Sequence, residues 1–205
     1  ESFAGTQFLS YFSTSTRTAV RLGLRSTIAN RTALGTRLDG TAPTIANGGV
    51  ATLGTLTHLV ASSDYATRDL RIYVDGVHAG SGILTDPAGN TSNTASLVAA
   101  LGATSSAVVG VFANFFDGLL ADVRCWSRVL SAAEIQTLFH ARGRDSNVSS
   151  QQHRYKLNQL SPGTPATDEP VRDSGALKID ATAASTLGDP RYASWLVSSR
   201  RSRRR

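Results

Sequence analysis

Apolar and polar residues alternate with a period of two through much of the chain. In residues 18–25, Val20, Leu22 and Leu24 share one face while Arg21 and Arg25 take the other, the signature of a half-buried strand. Leu70-Arg71-Ile72-Tyr73-Val74 repeats the pattern and runs into Asp75-Gly76, with Val77-His78-Ala79-Gly80 beyond. An Asp-Gly pair between two such runs predicts a two-residue hairpin, because both central residues of a type I′ turn need positive φ. Leu119, Ala121, Val123 and Cys125 alternate with Asp122 and Arg124 and predict another strand. Further strands are expected over residues 7–12, 33–38, 57–61, 106–113 and 154–160. Turn chemistry separates them at Asn47-Gly48-Gly49, Asp86-Pro87-Ala88-Gly89-Asn90 and Asp117-Gly118.

One segment changes period. Ser131-Ala132-Ala133-Glu134 is a capping box, in which the hydroxyl and the carboxylate each satisfy a free amide donor of a helix's first turn. Ile135, Leu138 and Phe139 follow at helical spacing, and Gly143 supplies a stop. Many short strands and one short helix predict a sandwich or a barrel, not an α/β fold. Residues 143–153 are polar and read as a linker. Residues 154–197 hold too few strand-like runs for a core of their own. They are expected to pack as a strand-contributing arm, on the first domain or, with a slight preference, on a neighbouring molecule.

Composition removes several classes of function. Cys125 is the only cysteine, so no internal disulfide forms; sharing a strand face with Val123, it reads as a small buried hydrophobe. No apolar run approaches the ~18–20 residues that span a bilayer, and no charged-then-apolar leader opens the chain. The net charge of +6 is concentrated in a tail: Arg200, Arg201, Arg203, Arg204 and Arg205 supply five of the positive charges, and without them the rest carries +1. Such a tail can neutralise phosphates, dock on an acidic protein surface or stay solvated. With no basic face on the body, nucleic-acid recognition is the least supported. Glycoside hydrolysis generally needs two carboxylates flanking the bond, yet the only glutamates are Glu1, Glu134 and Glu169, and Glu134 reads as a helix cap. His58, His78, His140 and His153 lack the spacing of a metal site. No nucleophile elbow or phosphate-cradling loop occurs. No enzyme activity is expected.

Several motifs, in order, resemble the laminin-G-like jelly rolls of the concanavalin A-like lectin and glucanase superfamily. Ser2-Phe3-Ala4-Gly5-Thr6 with Phe8-Leu9-Ser10 looks like the first inner strand. His58-Leu59-Val60-Ala61 and the run from Leu70 to Gly76 look like the central strand and its hairpin. Gly110, the run from Phe116 to Arg124, and Leu130-Ser131-Ala132-Ala133-Glu134-Ile135 look like the closing strand and short helix. The resemblance implies an all-β, two-sheet antiparallel jelly-roll sandwich with one short helix over residues 1–143, followed by the arm at 144–197 and the Arg-rich tail at 198–205. Tyr155-Lys156-Leu157-Asn158, Val171-Arg172-Asp173 and Asp189-Pro190-Arg191-Tyr192 resemble the family's amino-terminal edge placed after the helix, an arrangement similar to that in bacteriophage structural proteins.

The resemblance also implies candidate sites. Some family members hold Ca²⁺ with loop aspartates, the hard oxygen ligands this ion prefers; here Asp64, Asp69, Asp86 and Asp117 are the candidates, each with an alternative reading as a turn residue. Tyr65, Asn114, Phe115 and Phe116 suit stacking and hydrogen bonding to a sugar, or a core or interface role. The expected function is a non-enzymatic structural module on a virion surface, a phage decoration or fibre-type protein, homo-oligomeric and in contact with other virion or surface-assembly proteins. The alternative is a secreted or cell-surface glycan-binding adhesion module.

Overall fold

The computed structural model describes residues 7–14, 18–25, 32–39, 42–50, 55–64, 66–84, 100–102, 104–105, 112–113, 119–146, 148–157, 171–178 and 180. They hold twelve strands and one helix: β1 (Gln7–Thr14), β2 (Thr18–Arg25), β3 (Thr32–Asp39), β4 (Ala42–Val50), β5 (Leu59–Asp64), β6 (Asp69–Val74), β7 (Val77–Ile83), β8 (Ala100–Leu101), β9 (Thr104–Ser105), β10 (Phe112–Ala113), β11 (Val123–Trp126), α1 (Ala132–Ala141) and β12 (Gln151–Tyr155). Most of the described residues are in strands, and every ladder among them is antiparallel. It divides into two compact units, residues 1–117 with 129–142, and residues 118–128 with 143–205.

In the first unit, a five-stranded sheet in the order β4-β3-β2-β1-β8 faces a three-stranded sheet, β5-β6-β7. Alternation explains the packing. Leu70 and Ile72 of β6 point inward and are fully buried with Ala46 of β4 and Leu84, while Leu22, Leu59 and Val74 pack around them. Asp69 and Arg71 therefore lie on the other face. Burying a leucine or isoleucine contributes roughly 1.5–3 kcal/mol, so this apolar seam is what joins the two sheets. The arrangement is that of two antiparallel sheets packed face to face.

The Asp75-Gly76 hairpin forms as its sequence requires. Val74 pairs with Val77, and the two turn residues have φ of 49° and 81°. The capping box also forms. The Ser131 amide donates to Glu134 Oε2 at 2.9 Å, and the Glu134 amide donates to Ser131 Oγ at 3.3 Å. Ile135 and Leu138 are the buried face of α1.

Three expectations need correction. Asn47-Gly48-Gly49 is not a turn but part of β4. Its register against β3 slips between Thr32 and Leu34, and Asn47 Oδ1 accepts the Gly49 amide at 3.0 Å, so the turn-forming residues make an irregularity within a strand. The strand expected from Leu119 begins only at Val123, because Asp122 has φ of 51° and breaks the alternation; Leu119 is exposed. The polar stretch read as a linker already contains β12, which starts at Gln151 and ends at Tyr155, short of the expected Leu160. β12 pairs with β11 of its own chain.

Candidate functional site

Asp64 and Asp69 are directly opposed at the end of the β5–β6 hairpin. Asp64 Oδ1 accepts the amides of Ala66 (2.8 Å) and Thr67 (3.3 Å), which closes the turn as an Asx motif. Asp69 Oδ2 lies 2.5 Å from Arg71 Nη2. With Ser62, Thr67 and Val129 these side chains line a shallow recess of about 130 Å³, below the ~300–1,000 Å³ usual for small-molecule pockets. The other site residues expected from sequence, Tyr65, Asp86, Asn114, Phe115, Phe116, Asp117 and the arginines of the tail, lie outside the described residues.

Calcium takes six to eight oxygens. Asp64 is occupied by its own turn and Asp69 by a guanidinium, which already supplies the positive charge. Among the described residues no three His, Cys, Asp or Glu side chains gather as a metal site. The histidines have other neighbours: His78 Nε2 meets Ser81 Oγ at 2.9 Å, and His58 and His140 sit beside Phe139.

The second unit holds the denser constellation of charge. Arg124 of β11 and Arg154 of β12 are cross-strand partners, an arrangement of like charges that is unfavourable by itself. Asp122 resolves it. Its Oδ2 accepts from Arg124 Nε and Nη2 (3.0 and 2.5 Å), and its Oδ1 accepts from Arg154 Nε at 2.8 Å. The left-handed backbone at Asp122 turns its carboxylate to lie between the two guanidinium groups. The remaining donors reach the turn after α1. Arg124 binds Ser146 Oγ (3.0 Å) and the Arg144 carbonyl (2.7 Å), while Arg154 binds the Gly143 carbonyl (2.9 Å) and the Asp145 carboxylate. Both arginine side chains are only 6% exposed and Asp122 18%, so these charges are buried and mutually compensated. Burial pulls the Arg154 pKa down, but the hydrogen bonds and charges of Asp122 and Asp145 reverse that and raise it.

Among the described residues, the carboxyls of Asp64 and Asp145 titrate below the ordinary value of 3.8. Asp64 is held down by the Thr67 hydroxyl and then by the turn amides, and Asp145 by the hydrogen bond and charge of Arg154, then by Lys156. A carboxyl with a depressed folded pKa contributes stability that is complete above the unfolded value and lost as pH falls through the folded one. The melting temperature should therefore drop below about pH 4, and Asp145→Asn should flatten that acid limb when melting is followed against pH.

Cys125 behaves differently from a reactive thiol. Burial, and then the negative charge of Asp173, push its pKa up to about 12. Since the thiolate is the reacting species, native protein at pH 8 should react slowly with a thiol reagent. Denatured protein should react at the rate of a free cysteine.

A family model described as the concanavalin A-like lectin/glucanases superfamily matches residues 3–136. The chain belongs to that superfamily. No curated protein matches the chain, and no solved structure does. The superfamily includes glucanases, while its laminin-G-like lectin folds are commonly non-enzymatic. Its fold is compatible with a carbohydrate-binding module. The family match ends inside α1, so β12 and the residues packed on it lie beyond the matched region.

Sequence reasoning missed the Asp122–Arg124–Arg154–Asp145 cluster. Arg154 was legible only as the first residue of a strand, and Asp122 as the outward residue of another. The available signal was the pair of acidic residues, Asp122 and Asp145, flanking two strands that each carry an arginine.

Proposed function

We propose that the chain is a non-enzymatic structural module displayed at a surface, a virion decoration or fibre-type protein. On this reading residues 1–143 close into a complete two-sheet jelly roll, and its partners are other surface-assembly proteins and further copies of itself. The observation that carries the reading is the Arg124–Asp122–Arg154 cluster. Its buried charges bind the two strands to the 143–146 turn of the same unit, so they act as scaffold and not as acid, base or nucleophile. The helix cap agrees with it: Glu134 is tied to Ser131 and is not free to serve as one of the paired carboxylates that glycoside hydrolysis uses.

The test is a glycan array combined with turnover assays on common β-glucans and galactans. The expected result is no hydrolysis and no binding that survives dilution. Turnover would refute the non-enzymatic assignment. Specific glycan binding would support a second reading, a secreted or cell-surface adhesion module, which superfamily membership and the polar recess beside Arg71 favour.

A further inference from the structure

Residues 171–178 lie along β12 on the edge opposite β11. The Ser174 amide donates to the Arg154 carbonyl at 2.9 Å, and the Leu177 amide to the Gln152 carbonyl at 3.0 Å. The Arg154 amide is taken by a side chain: Asp173 Oδ1 accepts it at 2.8 Å and also accepts the Gly175 amide at 2.7 Å. Asp173 Oδ2 meets His153 Nδ1 at 2.7 Å, and the Asp173 amide donates to Asp180 Oδ1 at 2.8 Å. The Asp173 side chain has no solvent exposure. Gly175 runs so close to β12 that a Cβ there would collide with the Gln152 carbonyl and lie 2.5 Å from His153 Cα. A strand edge with unpaired amides and carbonyls invites a further strand; here it is covered by a segment anchored on one buried carboxylate and one glycine.

We propose that residues 171–178 are a strap that seals the outer edge of β12, and that this edge, once unstrapped, pairs with β12 of a second copy of the chain. The geometry names that occupant. The outward backbone groups belong to Gln152 and Arg154, one residue either side of His153. An antiparallel two-fold pairing centred on His153 sets residue 152 of each copy opposite residue 154 of the other, so both residues exchange amide and carbonyl. Such an isologous contact closes on itself. It also places Gln opposite Arg, avoiding a pair of arginines. The inference goes beyond the surface-module reading and stands without it, since its readout is chain mass alone.

Two variants of the full chain release the strap by different routes. Asp173→Ala removes the anchor, and Gly175→Val drives a side chain into β12. Release is read by tryptic cleavage after the exposed Arg172, and association by light scattering over a dilution series. Both variants should be cut at least about tenfold faster than wild type, as expected for a segment that has lost its protecting contacts, and both should show twice the wild-type mass at the concentrated end. Adding Gln152→Pro, which removes the outward amide of residue 152, should return the mass to that of wild type. Should Asp173→Ala fail to fold, Gly175→Val carries the test alone, because it leaves His153 and Arg154 unchanged. Faster cleavage without a change in mass, or doubling that survives Gln152→Pro, would overturn pairing through β12. Unchanged cleavage in Gly175→Val would overturn the strap itself.

Discussion

Replacing Asp122 with alanine should lower the melting temperature by roughly 6–20 °C. This follows from a loss of about 3–5 kcal/mol, the cost of removing one partner from a buried ion pair, at about 2–4 °C per kcal/mol for a chain of 150–250 residues. The change removes the single carboxylate that accepts from both Arg124 and Arg154. Two guanidinium groups, each 6% exposed, would then face one another across the β11–β12 ladder with only Asp145 and neutral oxygens as partners. Alanine at φ of 51° adds backbone strain, since a non-glycine residue is uncommon in the left-handed region and Asn and Asp are the best tolerated there. Asp122→Asn separates the two contributions: it keeps the shape and the tolerance for positive φ and loses only the charge. Its melting temperature should fall between those of wild type and alanine. An alanine variant that melts with wild type would show that the arginines are neutralised elsewhere, and the cluster would lose its place as the organiser of the second unit.

Much of the first unit is legible in the sequence because its signals are local. The capping box at Ser131 and Glu134, the Asp-Gly turn and the alternation in β6 each depend on neighbours within a few residues, and each appears in the structure. The second unit is less legible because its determinants are distant or polar. Gln151, Gln152 and His153 give no apolar alternation, so β12 resembles a linker. It becomes a strand because polar partners far along the chain, Ser127 for Gln152 and Asp173 for His153 and Arg154, satisfy it. The alternation across Leu119 to Cys125 misleads for the opposite reason, since a period of two does not reveal that Asp122 adopts a left-handed backbone. The candidate site follows the same division. The turn role of Asp64 is local and readable, while the pairing of Asp69 with Arg71 depends on which face of β6 the core takes. The sheet opposite settles that through Ala46.

Gly76→Val should strongly destabilise the first unit. At φ of 81°, glycine is the residue that closes a type I′ turn without steric penalty, and a β-branched side chain held there costs on the order of 1–3 kcal/mol. The structure adds a second penalty that the turn alone does not suggest. A Cβ on residue 76 would lie 3.2 Å from both Cβ and Cδ1 of Phe139, on the helix whose Ile135 and Leu138 are buried. Valine therefore strains the turn and pushes on α1 together, and overpacking of this kind costs a further ~1–3 kcal/mol. The turn is tied down as well: the Asp75 amide donates to the His58 carbonyl at 2.8 Å, and Asp75 Oδ1 accepts the His58 amide at 2.9 Å. That pair of hydrogen bonds to the residue preceding β5 prevents the hairpin tip from relaxing outward. The expected result is a loss of about 2–6 kcal/mol, the sum of the two penalties, measured by urea denaturation. Pairing Gly76→Val with Phe139→Ala should recover the overpacking share, because the obstructing ring is gone, and leave the backbone share, so the two changes should be non-additive. Strict additivity in that cycle would mean that Phe139 does not limit the space at residue 76, and the penalty would then belong to the turn alone.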